Sequence, residues 1–77
     1  MAKMSDRHKL MAYVLHEEFG YRQKAIAELM QVAQSTIANA VKEVKFRLTI
    51  TNLEKELQQT RNLLQEQGFY PDIPQLR

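Results

Sequence analysis

The stretch QKAIAELMQVAQSTIANAVK, residues 23–42, decides how this chain is read. It holds two short apolar patterns and no Gly, no Pro and no polar loop run between them. Ile26, Ala27, Leu29 and Met30 recur at helical spacing and predict a brief helix over roughly 22–30 with those residues inside. Ile37, Ala40, Val41 and Val44 predict the inner face of a second helix that begins near Gln34. The connection is then about three residues, Gln31-Val32-Ala33, the length that joins two helices at a steep angle. Ala27 is small enough for two backbones to approach, and Ile26, Met30, Val32, Ile37 and Val41 fall where contacts would lock that angle.

The outer face of the second helix is short of charge. Gln34, Ser35, Thr36 and Asn39 lie at its start, with Lys42 one turn further on. Gln and Asn bond bidentately to adenine, and Ser or Thr to several bases. In a helix-turn-helix it is the N-terminal part of the second helix that meets base edges in the major groove. These four residues are therefore candidate base contacts. Tyr21, Arg22, Lys24, Lys42, Lys45 and Arg47 surround them as candidate phosphate contacts. QSTIANAV resembles the recognition helix of the Cro-like helix-turn-helix repressors of phages and plasmids, with Ala27 in the place of that family's small residue. The resemblance covers about 20 of the 77 residues. It implies a DNA-binding unit whose Gln34, Ser35, Thr36 and Asn39 face bases. Gln31 departs from the pattern, standing where the family usually has Gly in a left-handed turn. The mismatch costs about 1 kcal/mol and predicts a turn of another type. With the helix that follows, the chain also resembles small plasmid regulators of the KorA or StbA type and the short first proteins of some insertion-sequence transposases.

Working outward, Ser5 is placed to cap a first helix, with Asp6 near its positive end. Leu10, Met11, Val14, Leu15 and Phe19 form one apolar face, and Gly20 is placed to end the helix in a left-handed conformation. Tyr21 is positioned as a hydrophobic staple onto Ile26. Beyond Val44 the pattern forks. KFRLTIT alternates apolar and polar residues, as a strand or wing would. Thr51 followed by Glu54 reads as a capping box that opens a new helix after a break around 49–52. Against both, Phe46, Ile50, Leu53, Leu57, Thr60, Leu64 and Gln67 step in an unbroken heptad, which favours a continuous helix. Phe46, Ile50, Leu53, Leu57 and Leu64 then form a candidate dimer seam; the plainer outcome is packing on the first helix. Every form shares a helix from about Asn52 to Gln67, closed by Gly68 with Phe69 touching Leu64 as in a Schellman ending. YPDIPQLR is expected to be an irregular tail without a structural stop, as in a piece of a longer protein.

Bulk composition bounds the rest. Seventy-seven residues fit one small domain with a marginal core, which a second copy or a partner would help. Net charge is +2, but the basic residues crowd the first part: eight Lys and Arg against five acids up to Ile50, three against four thereafter. That asymmetry suggests two jobs. There is no cysteine, hence no disulfide and no thiolate metal site, which fits a cytoplasmic protein. No apolar run is long enough to span a membrane, and MAKMSDRHKL lacks the apolar core of a signal peptide. HEEFG places Gly20 where a zinc-protease helix needs its second His. No phosphate-cradling Gly loop and no Ser, His and acid grouping occurs, so no enzyme, catalytic residue, cofactor or metal is expected.

The expectation is an all-α chain. A three-helix, helix-turn-helix domain spans residues 1–50, a heptad-patterned helix 51–68 and a tail 69–77. Its partners would be double-stranded DNA and, through the last helix, a second copy. The competing readings are a DNA-binding subunit of a transposase and a helical protein-interaction module.

Overall fold

The structure, a computed structural model, describes residues 4–69. It is all-helical over those residues, with α1 Asp6–Tyr13, a π-helical turn Val14–Glu18, α2 Gln23–Met30, α3 Gln34–Ile50 and α4 Glu54–Glu66. The alternative of a strand or wing at KFRLTIT is not taken among the described residues: residues 45–50 are the last part of α3 and Thr51 follows it. The tail after Phe69 lies outside the described residues.

Ser5 caps α1 as its sequence position implies, its Oγ accepting from the His8 backbone N–H at 3.2 Å. The end of that helix is not a plain α-helical one. Phe19 N–H reaches the Val14 carbonyl and Tyr21 N–H the Leu15 carbonyl, at 2.9 and 2.8 Å. One residue is thus accommodated in a wider turn. The wide turn lets Val14, Leu15 and Phe19 all stay buried. It also leaves adjacent Glu17 and Glu18 outside, where each reaches a different helix. Glu17 meets Lys45 of α3 at 3.0 Å, and the Arg61 guanidinium of α4 donates to both oxygens of Glu18. Gly20, at φ 85°, then turns the chain into α2.

α1 and α2 both pack on α3 around Leu10, Ala12, Leu15, Ile26, Ala27, Ile37, Ala40, Val41 and Val44. Ala27 and Ala40 are buried where the backbones come close, as small residues allow. Leu29, expected inside, is half exposed at 50%. The apolar arc of α2 is only as wide as Ile26, Ala27 and Met30, and Leu29 falls at its edge.

The heptad of residues 46–67 does not form one helix. α3 stops at Ile50, Thr51 is extended, and α4 starts at Glu54. Threonine chemistry accounts for the break. The Thr51 hydroxyl and backbone N–H both donate to the Arg47 carbonyl, at 2.9 and 2.8 Å, and the Thr49 hydroxyl donates to the Phe46 carbonyl. Such back-bonding competes with helix continuation. Thr51 is therefore the terminator of α3 and not the cap of α4. Asn52 supplies that cap, its Oδ1 accepting from the Glu54 N–H at 2.9 Å.

The break divides the candidate seam. Leu53, Leu57 and Leu64 turn into the chain's own core as α4 packs on α1, with Thr60 buried beside them. Thr60 satisfies its hydroxyl on the Glu56 carbonyl at 2.8 Å. Phe46 and Ile50 stay outside at 67% and 65% exposure. A seam running from Phe46 to Leu64 on one helix is thereby replaced by two separate surfaces, one buried and one open. α4 closes as its sequence implies: Gly68 has φ 99°, its N–H donates to Gln65, and Phe69 N–H donates to Leu64 at 2.9 Å. Phe69 then packs edge-on against Tyr21, ring centres 6.0 Å apart, so the end of α4 and the connection before α2 share one core.

Candidate nucleic-acid interface

α2 and α3 are joined by Gln31, Val32 and Ala33. Gln31 adopts φ 60°, ψ 45°, the left-handed conformation itself. The expected change of turn type does not occur: a side-chain-bearing residue occupies the position, with its strain. Val32 N–H donates to the Ala27 carbonyl at 3.0 Å, and Gln31 N–H to Glu28 at 3.3 Å. Two of the four carbonyls left open at the end of α2, those of Ala27 and Glu28, are thus satisfied by the turn. Burial of Ile26, Ile37 and Val41 across the junction offsets the strain at Gln31.

Ala33 precedes α3 without a side-chain cap, so no cap side chain covers the first turn. Gln34, Ser35 and Asn39 are exposed there. At 3.6 residues per turn, Ser35, Asn39, Lys42, Phe46 and Ile50 fall along one stripe, opposite the buried Ile37, Ala40, Val41 and Val44. Gln34 lies off the stripe, in line with Ile37 and Val41, and is exposed because it stands at the helix start. Thr36 is half-buried at its other edge, and its N–H is engaged by the Ala33 carbonyl at 3.0 Å. The candidate base contacts are thus brought together on one helix end, Ser35 and Asn39 fully presented and Thr36 the least so.

The cations divide into two groups. Arg22, Lys24 and Lys42 are exposed and take part in no ion pair among the described residues. Lys45 is held by Glu17 at 3.0 Å, and Arg47 has Asp6 at 3.7 Å, so two expected phosphate contacts already face acids of their own chain. Tyr21 is half-buried against Phe69, and its carbonyl accepts from His16 Nδ1 at 3.0 Å. It is a post at the start of α2 more than a free arm. Glu17 and Glu18 were not singled out from sequence, and Asp6 only as a helix-end residue, not as the partner of Arg47: each lies tens of residues from the base it meets, and nothing local marks such pairs.

The helical pair offers hydrogen-bonding groups of both polarities on an uncharged helix end, flanked by three exposed cations. No group of three or more His, Cys, Asp or Glu residues suited to a metal occurs among the described residues, and no helix there is long and apolar enough to cross a membrane. Comparisons with protein-family models, curated proteins and solved structures give no match to the chain.

Proposed function

We propose that α2, the Gln31 turn and α3 act as a helix-turn-helix that binds double-stranded DNA with sequence preference, as a bacterial plasmid or phage regulator occupying an operator or a partition-like repeat. The observation that carries this reading is the uncharged, exposed pair Ser35 and Asn39, with Gln34 exposed before them, at the start of a helix whose first turn carries no side-chain cap. A purely structural hairpin has no need of such a face. Arg22, Lys24 and Lys42 dock the phosphates, and Asn39, Ser35 and Gln34 read base edges. Lys45 and Arg47 join only by exchanging Glu17 and Asp6 for phosphate, which makes their share smaller. Thr36 acts at the edge of the contact.

Selection of bound duplexes from a random pool at moderate salt tests this directly. A short recovered consensus is the expected result. On that consensus, Asn39→Ala costs about 1–3 kcal/mol and relaxes preference at one base pair, whereas Lys42→Ala weakens all sequences alike and lowers the salt slope by about 1. No enrichment from the pool, or an equal loss on specific and random DNA for Asn39→Ala, overturns the assignment. The exposed Phe46 and Ile50 favour an additional role in protein contact.

A further inference from the structure

We propose that protonation of His16 releases Lys45 to a DNA phosphate, so that the chain binds duplexes more tightly as pH falls below neutrality. The proposal rests on the DNA-binding reading above and names a regulation of that site. Its starting point is one shared atom. Lys45 Nζ lies 3.0 Å from Oε2 of Glu17, and His16 Nε2 lies 3.9 Å from the same oxygen.

The π-helical turn builds this arrangement, since His16 and Glu17 both belong to it. The His16 ring lies against the Tyr21 carbonyl, with Nδ1 3.0 Å from the oxygen. A carbonyl only accepts, so Nδ1 carries the proton of the neutral imidazole and Nε2 is bare. Nε2 is therefore the nitrogen that takes the second proton, and it faces Glu17. The His16 and Glu17 side chains are 31% and 30% exposed, so solvent protons reach the pair while water screens it only in part.

The surrounding charges are otherwise settled. On α4, Arg61 donates to both oxygens of Glu18. On α3, Glu43 and Arg47 have Lys9 and Asp6 of α1 as partners. The Tyr13 phenol of α1 stays uncharged here, because burial raises it above its ordinary value of 10.0. Arg22, Lys24 and Glu28, at and along α2, are exposed and in no ion pair among the described residues. Glu17 is thus the one carboxylate that Lys45 and His16 share.

With His16 neutral, Lys45 and Glu17 cancel, and drawing Lys45 to a phosphate strands a carboxylate beside the DNA backbone. With His16 charged, Nε2–H donates to Oε2, Glu17 keeps a cation, and Lys45 can leave it. Lys45 stands ten residues beyond Ser35, about 15 Å along α3 and past the roughly 12 Å width of the major groove. It meets the phosphate ridge there, where one more contact steepens the salt dependence of binding by about 1.

The experiment measures the salt slope of binding to the selected duplex at pH 7.5 and 5.5, a range in which imidazoles change charge and carboxylates keep theirs. The parent slope is expected to steepen by up to about 1 at the lower pH. His16→Gln and Lys45→Gln should stay shallow at both pH values, and Glu17→Gln steep at both. His8→Gln should behave as the parent, since His8 is engaged with Ser5 at the start of α1. A parent slope indifferent to pH overturns the switch. So does a slope that still changes in Glu17→Gln or Lys45→Gln, which would make the imidazolium's own charge the cause. Both of those residues are partly exposed surface groups, so the comparison stands even if His16→Gln fails to fold. If no duplex is bound at all, the DNA reading fails separately, and NMR of the free protein decides the switch. A Lys45 ammonium signal that moves towards that of a solvated lysine between pH 7.5 and 5.5, in the parent and not in Glu17→Gln, supports it; a signal indifferent to pH overturns it.

Discussion

Replacing Gln31 by Gly and, in parallel, by Ala puts a sign on the strain in the α2–α3 turn. Gln31 is the only described non-glycine residue with positive φ, at 60°. An L-residue held there pays about 1–2 kcal/mol, because its Cβ crowds the following carbonyl. Ala keeps that Cβ, and Gly removes it. Gly also gives the unfolded chain more freedom, which costs about 0.4–1 kcal/mol. The Gly variant should therefore be more stable than the Ala variant by roughly 0.5–1 kcal/mol. At Gln59, exposed in the middle of α4, the same comparison should come out reversed, Gly being worse than Ala by about 1 kcal/mol. Urea unfolding of the four variants, with slopes checked for equality, reads both differences. The Gln31 side chain is exposed and has no hydrogen bond among the described residues, so its loss adds little. A Gln31→Gly chain less stable than the Gln31→Ala chain would refute the left-handed turn. Because the turn geometry is kept, duplex binding by Gln31→Gly should match that of the parent chain.

Leu64 is fully buried in the chain's own core, so Leu64→Ala should cost about 2.7–5 kcal/mol whatever the protein concentration; a loss that depends on concentration would return Leu64 to a seam between copies. Burial, with Glu17 and Glu18 behind it, raises the Tyr13 phenol above its ordinary value of 10.0. Its contribution to stability is then complete below pH 10.0 and lost as pH rises through the folded value. Tyr13→Phe should flatten this alkaline loss in urea midpoints, and an unchanged profile would remove Tyr13 as its source. Glu17→Gln releases Lys45, which should steepen the salt dependence of DNA binding by up to about 1; an unaltered slope would mean that Lys45 stays clear of phosphate.

Local pattern was sufficient for a good part of this. Helical spacing placed α2 and the start of α3, Ser5 announced its cap, and Gly20 and Gly68 marked two helix ends, because each of these rests on neighbours within a turn or two. The exposure of Ser35 and Asn39 follows from the same periodicity. The residues after Val44 were harder. A heptad records which positions are apolar, not whether the backbone between them stays helical or which surface they meet.

By itself, then, the amino-acid order pointed to an all-α fold, a three-residue connection at Gln31–Ala33 and an uncharged face at the start of α3. Three features were decided by the tertiary structure. The threonines at 49 and 51 end α3 by bonding back to its carbonyls, and α4 then folds onto α1, sending Leu53, Leu57 and Leu64 inward and leaving Phe46 and Ile50 outside. Packing keeps Gln31 in a conformation that its own Cβ disfavours. The π-helical turn aims Glu17 at α3 and Glu18 at α4, drawing Lys45 away from the free cations. The break at the threonines is local chemistry, but the docking of α4, the Gln31 turn and the two ion pairs depend on the summed burial and ion pairing of residues far apart in the chain, an energy that exceeds the local preference a short window of sequence can express.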